Sequence, residues 1–287
     1  MSDQPPLRPP HPPTAQNPEE VFPPLAEDRG SPLLLGTHPE SETLARLEGC
    51  GVIDRLAELG FRSLRFDISP YRVEGQTVRV YDETADPDRL LIDLRLRIED
   101  VVPAIRFATQ EPLREARMLR IEWLAFQNPR GQFTPDRPRL PDQRYPGLGL
   151  GEKIVRFLGQ LAYDHRCDGL LSFPDHYHNA VMYARRFVFF HAGRHGAHQG
   201  MMRDLQERPL AERSFAIDAG CLRSEPGARP EAWVASEMVL AISRRLIEIV
   251  RSRFWRREER EAERARQWRI DWGEYDLKNG RGGQPGG

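Results

Sequence analysis

The chain has 287 residues, a length that suits one large domain with appendages. Its 42 Lys and Arg nearly cancel its 43 Asp and Glu, so no globally basic surface is indicated and no nucleic-acid partner is expected. No stretch approaches the roughly 18 apolar residues of a membrane span, and the first residues lack the apolar core of a signal peptide. Cys50, Cys167 and Cys221 form neither a disulfide framework nor a zinc pattern, so a reducing, cytoplasmic setting is expected.

Residues 1–40 are rich in proline, which fixes φ and lacks the N–H donor, and they predict a disordered or extended arm. Ser41 opens a helical pattern through Leu44, Leu47, Val52, Leu56 and Leu59, weakened at Gly49-Cys50-Gly51 and stopped by Gly60. From Phe61 the period changes to two. Leu64 to Ile68, Thr77 to Tyr81 and Leu90 to Ile98 predict strands, and Met118 to Gln127 is a further apolar run closed by Asn128-Pro129. Residues 130–143 are a polar loop, long enough to be either a lid or flexible. A glycine cluster, a helix, a short strand and a second helix follow. Residues 200–230 are ambiguous. From Glu231 a long amphipathic helix is expected through Val234, Met238, Ile242, Leu246, Ile249 and Phe254, charged from Arg256 to Arg269. Its first half predicts packing on the domain or on a second copy, a homodimer. Its second half interleaves Glu and Arg as a solvated helix does, with membrane-surface or partner binding through Phe254 and Trp255 as the alternative. The resulting division is a Pro-rich arm (1–40), a central domain (41–200), a C-terminal helical extension (201–270) and a Gly-rich flexible tail (271–287).

The chemistry concentrates in Arg144-Tyr145-Pro146-Gly147-Leu148-Gly149-Leu150-Gly151-Glu152-Lys153. Closely spaced glycines let a backbone turn sharply and approach a ligand. Free N–H groups at the start of the following helix, together with its dipole, favour an anion there. A Walker loop is excluded because Lys153 is followed by Ile154. A dinucleotide fingerprint is excluded because the position of its third glycine holds Glu152. The pattern Arg/Gln-x-x-Gly-x-Gly/Ala is met by Arg144, Gly147 and Gly149.

With these residues in this order, the chain resembles the GNAT (Gcn5-related N-acetyltransferase) superfamily. The resemblance covers about residues 60–192 and is clearest over 118–190. Leu119 to Phe126 with Asn128-Pro129 is similar to the family's central strand, and Asn179 to Phe187 to its Asn-x-x-Ala…Tyr signature. Two departures concern the substrate side: a longer loop between Asn128 and Arg144, and Phe187-Val188-Phe189 where the family has Gly-Phe. The resemblance implies a mixed, mostly antiparallel α/β sheet flanked by helices. It also implies transfer of an acyl group, acetyl in the first instance, from acetyl-CoA or another acyl-CoA to an amine acceptor that the sequence does not identify.

By the same resemblance, Arg144 and the N–H groups of Gly147, Leu148, Gly149, Leu150 and Gly151 hold the diphosphate. Leu124, Ala125 and Phe126 pair with the pantetheine arm and polarise the thioester, and Asn179 hydrogen-bonds the pantetheine. Tyr183 occupies the place of the acid that protonates the leaving thiolate. Glu122 is the candidate base, since desolvation of a half-buried carboxylate favours proton uptake. Each has a plainer reading: turn glycines, a helix N-cap for Asn179, a core aromatic for Tyr183, a solvent-facing or Arg-paired carboxylate for Glu122. His176 and His178 flank this segment, with a substrate-side role open. His191, His195 and His198 lie among Gly193, Gly196 and Gly200 and suggest a mobile loop, so no metal site is expected.

Overall fold

A computed structural model of the protein describes residues 33–101, 115–225 and 227–279, which belong to one compact unit. The arm up to residue 32 and the tail from residue 280 lie outside the described residues, while residues 272–278, expected to belong to the flexible tail, form a helix. Residues 33–39, expected to belong to the arm, instead make a turn bridged between Leu34 and His38, with Leu34 and Leu35 buried in the core. The helical pattern from Ser41 resolves into two helices, α1 (Glu40–Gly49) and α2 (Val52–Glu58). The break is at Gly51, whose φ of +75° suits glycine.

Strands β1 (Leu64–Ile68), β2 (Gln76–Asp82), β3 (Leu90–Val101) and β4 (Ala116–Phe126) form an antiparallel meander. Helix α3 (Gly151–Asp164) then returns the chain to β5 (Gly169–Ser172), parallel to β4. After α4 (Tyr177–Tyr183) comes the short β6 (Val188–Phe189). Helices α5 (Ala192–Asp204) and α6 (Leu210–Asp218) and strand β7 (Leu222–Arg223) precede β8 (Met238–Ala241). The chain ends in α7 (Arg244–Val250), α8 (Arg253–Arg264), β9 (Arg269–Ile270) and α9 (Trp272–Lys278). The main sheet is mixed but mostly antiparallel, in the order β1-β2-β3-β4-β5-β8-β6. Leu47, Val52, Leu56, Ile154, Phe157 and Leu158 lay α1, α2 and α3 on one face, over Leu94, Leu96, Leu119 and Ile121. Leu246 of α7 covers Met118, Leu171 and Val239 on the other.

The long helix expected from Glu231 is not formed. Met238-Val239-Leu240-Ala241 pairs with both β5 and β6, so the C-terminal helices are stitched into the sheet. A short apolar run satisfies helical and strand periods alike, and here a vacant strand position decided. Ser243 and Ser252 then cap two separate helices, each accepting an N–H three residues on.

The loop expected around His191 to His198 is likewise a helix. In α5 the glycines are a packing surface: a Cβ on Gly196 would stand 2.0 Å from the Glu259 carbonyl oxygen, and one on Gly200 3.0 Å from that of Glu263. Small residues let α5 and α8 touch backbone to backbone, and Trp255 of α8 is buried against this pair, its indole N–H donating to the Phe190 carbonyl.

Candidate functional site

Strand β4 pairs with β5 only from Met118 to Ile121, opposite Gly169 to Ser172. Its pairing with β3 continues to Phe126. Beyond Ile121 the two parallel strands therefore part. Gln127 donates its N–H to Leu91 across β3, and alternation along the strand turns the N–H groups of Leu124 and Phe126 to the side that β5 has left. Ala125 faces β3 with its main chain, so of the three predicted pantetheine-pairing residues two present free backbone groups to the opening.

The start of this parted segment carries a bulge. Register slips between Arg95 and Leu96 so that Trp123 and Ile121 have partners while Glu122 has none. Bulges re-aim side chains and raise local twist. Glu122 and the exposed Trp123 leave the core side, and Glu122 is taken by two guanidinium groups, Arg95 at 2.9 Å and Arg97 at 3.2 Å.

The glycine bend lies against the end of β4. Asn128 donates its N–H to the Pro146 carbonyl at 2.7 Å, closing the neck of the loop between them, and a Cβ on Gly147 would stand 3.8 Å from the Phe126 oxygen. Leu148 and Leu150 are buried, while Gly147, Gly149 and Gly151 are exposed. The alternation pins the bend by its leucines and leaves the main chain bare at its glycines. Gly149 takes φ +71°, and a Cβ on Gly151 would meet nothing within 4 Å. Helix α3 begins here without a side-chain cap. Among the described residues no protein acceptor takes the N–H groups of Leu148 to Gly151, so the residues present suit an anion. Arg144 is exposed, sits over the Tyr145 ring and pairs with Asp88 at 2.9 Å.

Helix α4 completes the site. The cap position is His176, not Asn179, which is the third residue of the helix. Phe187, expected inside the helix, is buried just beyond it. Arg186 pairs with Glu152 at 3.0 Å, tying the end of α4 to the first turn of α3. Tyr183 is half-buried and stacks on Phe187 at 5.3 Å. Burial pushes its phenol above the ordinary value, opposed by a hydrogen bond with Ser172. Ser172 is the last residue of β5, opposite Ile121, so the phenol sits where β4 and β5 part. The fold thus gathers Leu124, Phe126, the 147–151 bend and Tyr183 around one opening. Glu122 lies on the polar face of the same strand.

His176 was legible only as a neighbour of this segment. It bridges two carboxylates, Asp142 through Nε2 at 2.9 Å and Asp218 through Nδ1 at 2.8 Å. Asp142 adopts φ +59° to reach it. The bridge ties the loop before the bend to α4 and α6. Asp218, against the opposing effect of burial and with help from Asp142, raises the His176 pKa to about 9. The folded value exceeds the ordinary one, so the stabilisation is complete below about pH 6.5 and is lost as pH rises through 9. Discounted for the exposure of Asp142, the bridge contributes about 1–2 kcal/mol. Chemical denaturation at pH 6.5 and at pH 10 is expected to show that difference in the parent and none in His176→Ala.

His191 is exposed beside Glu258, whereas His178, His195 and His198 belong to the core. His178 is buried, bonds Ser214 at 2.8 Å, and is pushed down to about 4 by burial. His195 accepts the Phe189 N–H, and His198 lies among Tyr177, Phe189 and Trp233. Burial lowers these two to about 4 and about 3. Among the described residues no three His, Cys, Asp or Glu converge as metal ligands, and no helix is long and apolar enough to cross a membrane.

No protein-family model and no curated protein matches the chain. Among solved structures it is similar to a crystal structure described as a bacterial toxin, at 12% identity and TM-score 0.29, over 62% of this chain and 73% of that one. A similarity that low carries no argument about function.

Proposed function

We propose that the protein is an acyl-CoA-dependent N-acyltransferase of the GNAT type, moving an acyl group, acetyl in the first instance, to an amine by direct attack. The observation that carries this reading is the opening between β4 and β5 beyond Ile121, with main chain bare at Gly147, Gly149 and Gly151 beside its end. Acetyl-CoA would supply an acyl group activated as a thioester. The main-chain N–H groups of Leu148 to Gly151 bind its diphosphate. Leu124 and Phe126 offer strand-like partners for the pantetheine amides, and a backbone N–H among them polarises the carbonyl oxygen. Asn179, at intermediate depth on α4, faces the same task of holding the pantetheine. The Tyr183 hydroxyl donates the proton that the departing thiolate needs. Glu122 takes the proton of the amine, directly or through water.

A second reading, a catalytically silent CoA-binding module, is favoured by one observation. The Glu122 carboxylate is engaged by both Arg95 and Arg97, which occupies its oxygens and keeps them from a substrate. Calorimetry separates the readings when combined with thiol release over a panel of amines. The enzyme is expected to bind acetyl-CoA at micromolar concentration and to release CoA with at least one amine. Tight binding without turnover on any amine favours the module, and no binding below millimolar concentration ends both.

A further inference from the structure

Helix α2 reaches the bend through one residue. Arg55 donates from Nε to the Leu148 carbonyl at 3.2 Å, across 93 positions of sequence. Its Nη1 is held by Glu58 at 2.9 Å, which fixes the plane of the guanidinium. A Cβ on Gly149 would lie 3.8 Å from Arg55 Nε and from Nη2, so the side chain fills the space beside that glycine. The Leu148 carbonyl and the Gly149 N–H belong to one planar trans peptide and point in opposite directions. Engaging the carbonyl from α2 turns the Gly149 N–H away from α2. It also removes from the anion site an oxygen whose partial negative charge would oppose a phosphate.

We infer that Arg55 is a positioning residue of the donor site, which sets the Leu148–Gly149 peptide so that its N–H serves the diphosphate. The inference rests on the acyltransferase reading above, and it predicts a selective defect. A donor fragment with a diphosphate feels Arg55, and one without does not. A hydrogen bond to a charged group contributes about 1.5–3 kcal/mol, so its loss corresponds to roughly tenfold or more in affinity.

The test uses the full chain and Arg55→Gln, with CoA, ADP and pantetheine as probes, each displaced against a labelled CoA. The variant is expected to bind CoA and ADP about tenfold more weakly, with pantetheine affinity unchanged and the thermal midpoint lowered by no more than a few degrees. CoA affinity within twofold of the parent overturns the inference. So does an equal loss for CoA and pantetheine, which marks Arg55 as a support of the whole site. A parent that binds none of the three probes sinks the acyltransferase reading itself, and that outcome is distinct from both.

Discussion

Replacing Tyr183 with Phe is expected to lower turnover by about a hundredfold or more while leaving CoA affinity within about a factor of two. The substitution removes one hydroxyl and keeps the ring that stacks on Phe187. Burial raises the phenol above its ordinary value and the Ser172 hydrogen bond only partly opposes this, so Tyr183 holds its proton throughout the neutral range. A group that stays protonated is available as a donor at each cycle. The loss of activity assigned to its ionisation therefore falls on the alkaline side, above pH 10. Steady-state thiol release in the parent and in Tyr183→Phe, combined with CoA calorimetry, checks both statements. Unchanged turnover in the variant would make Tyr183 a packing residue.

The largest expected loss of stability comes from Asp168. This buried residue lies where β4, β5, β8 and α7 meet. Its carboxylate accepts the Arg117 N–H at 2.9 Å and a two-point contact from Arg245, with Nε at 2.6 Å, while its main-chain oxygen accepts from Ile242 and Ser243. Burial favours the neutral acid, but Arg245, Ser243 and the Arg117 N–H outweigh it and hold the carboxyl below its ordinary value. The folded value is depressed, so the contribution is present above about pH 3.8 and is lost as pH falls through the folded value. Asp168→Ala strips the partner from a strand N–H and from Arg245, whose half-exposed guanidinium stays solvated, a change of about 2–3 kcal/mol. A thermal midpoint lower by on the order of 10 °C at pH 7 is expected, with the difference between parent and variant shrinking below pH 4. Because Arg245 belongs to the C-terminal helices, the variant is also expected to expose that part of the chain to proteolysis.

Much of the frame around the candidate site was legible because it is local. Strand alternation from Leu119 to Phe126, glycine spacing from Gly147 to Gly151 and helical period from Ile154 onward are all patterns within about ten residues, where neighbours in sequence are neighbours in space. The cap role, the plainer alternative for Asn179, falls to His176 because Tyr177 and His178 begin the helix earlier, and an apolar stripe says little about which residue first turns. The β8 segment and α5 failed for a different reason. Met238 to Ala241 is a strand because β5 and β6 offer it two edges, and Gly193, Gly196 and Gly200 suit a helix because α8 lies close against them. Neither circumstance is written near those residues.

By itself the sequence determined the order of strands and helices from Leu64 to Tyr183, the bend at its glycines, and the presence of a tyrosine and an acid on the elements beside it. Only the tertiary structure decided that β5 stops at Ser172 while β4 runs on, that Glu122 is claimed by Arg95 and Arg97, that His176 stands between two carboxylates, and that Arg55 grips the bend from α2. The physical reason is range. Propensity and period act over a few residues, whereas ion pairs, strand edges and close helix contacts join positions that only a completed chain brings within a few ångströms of one another.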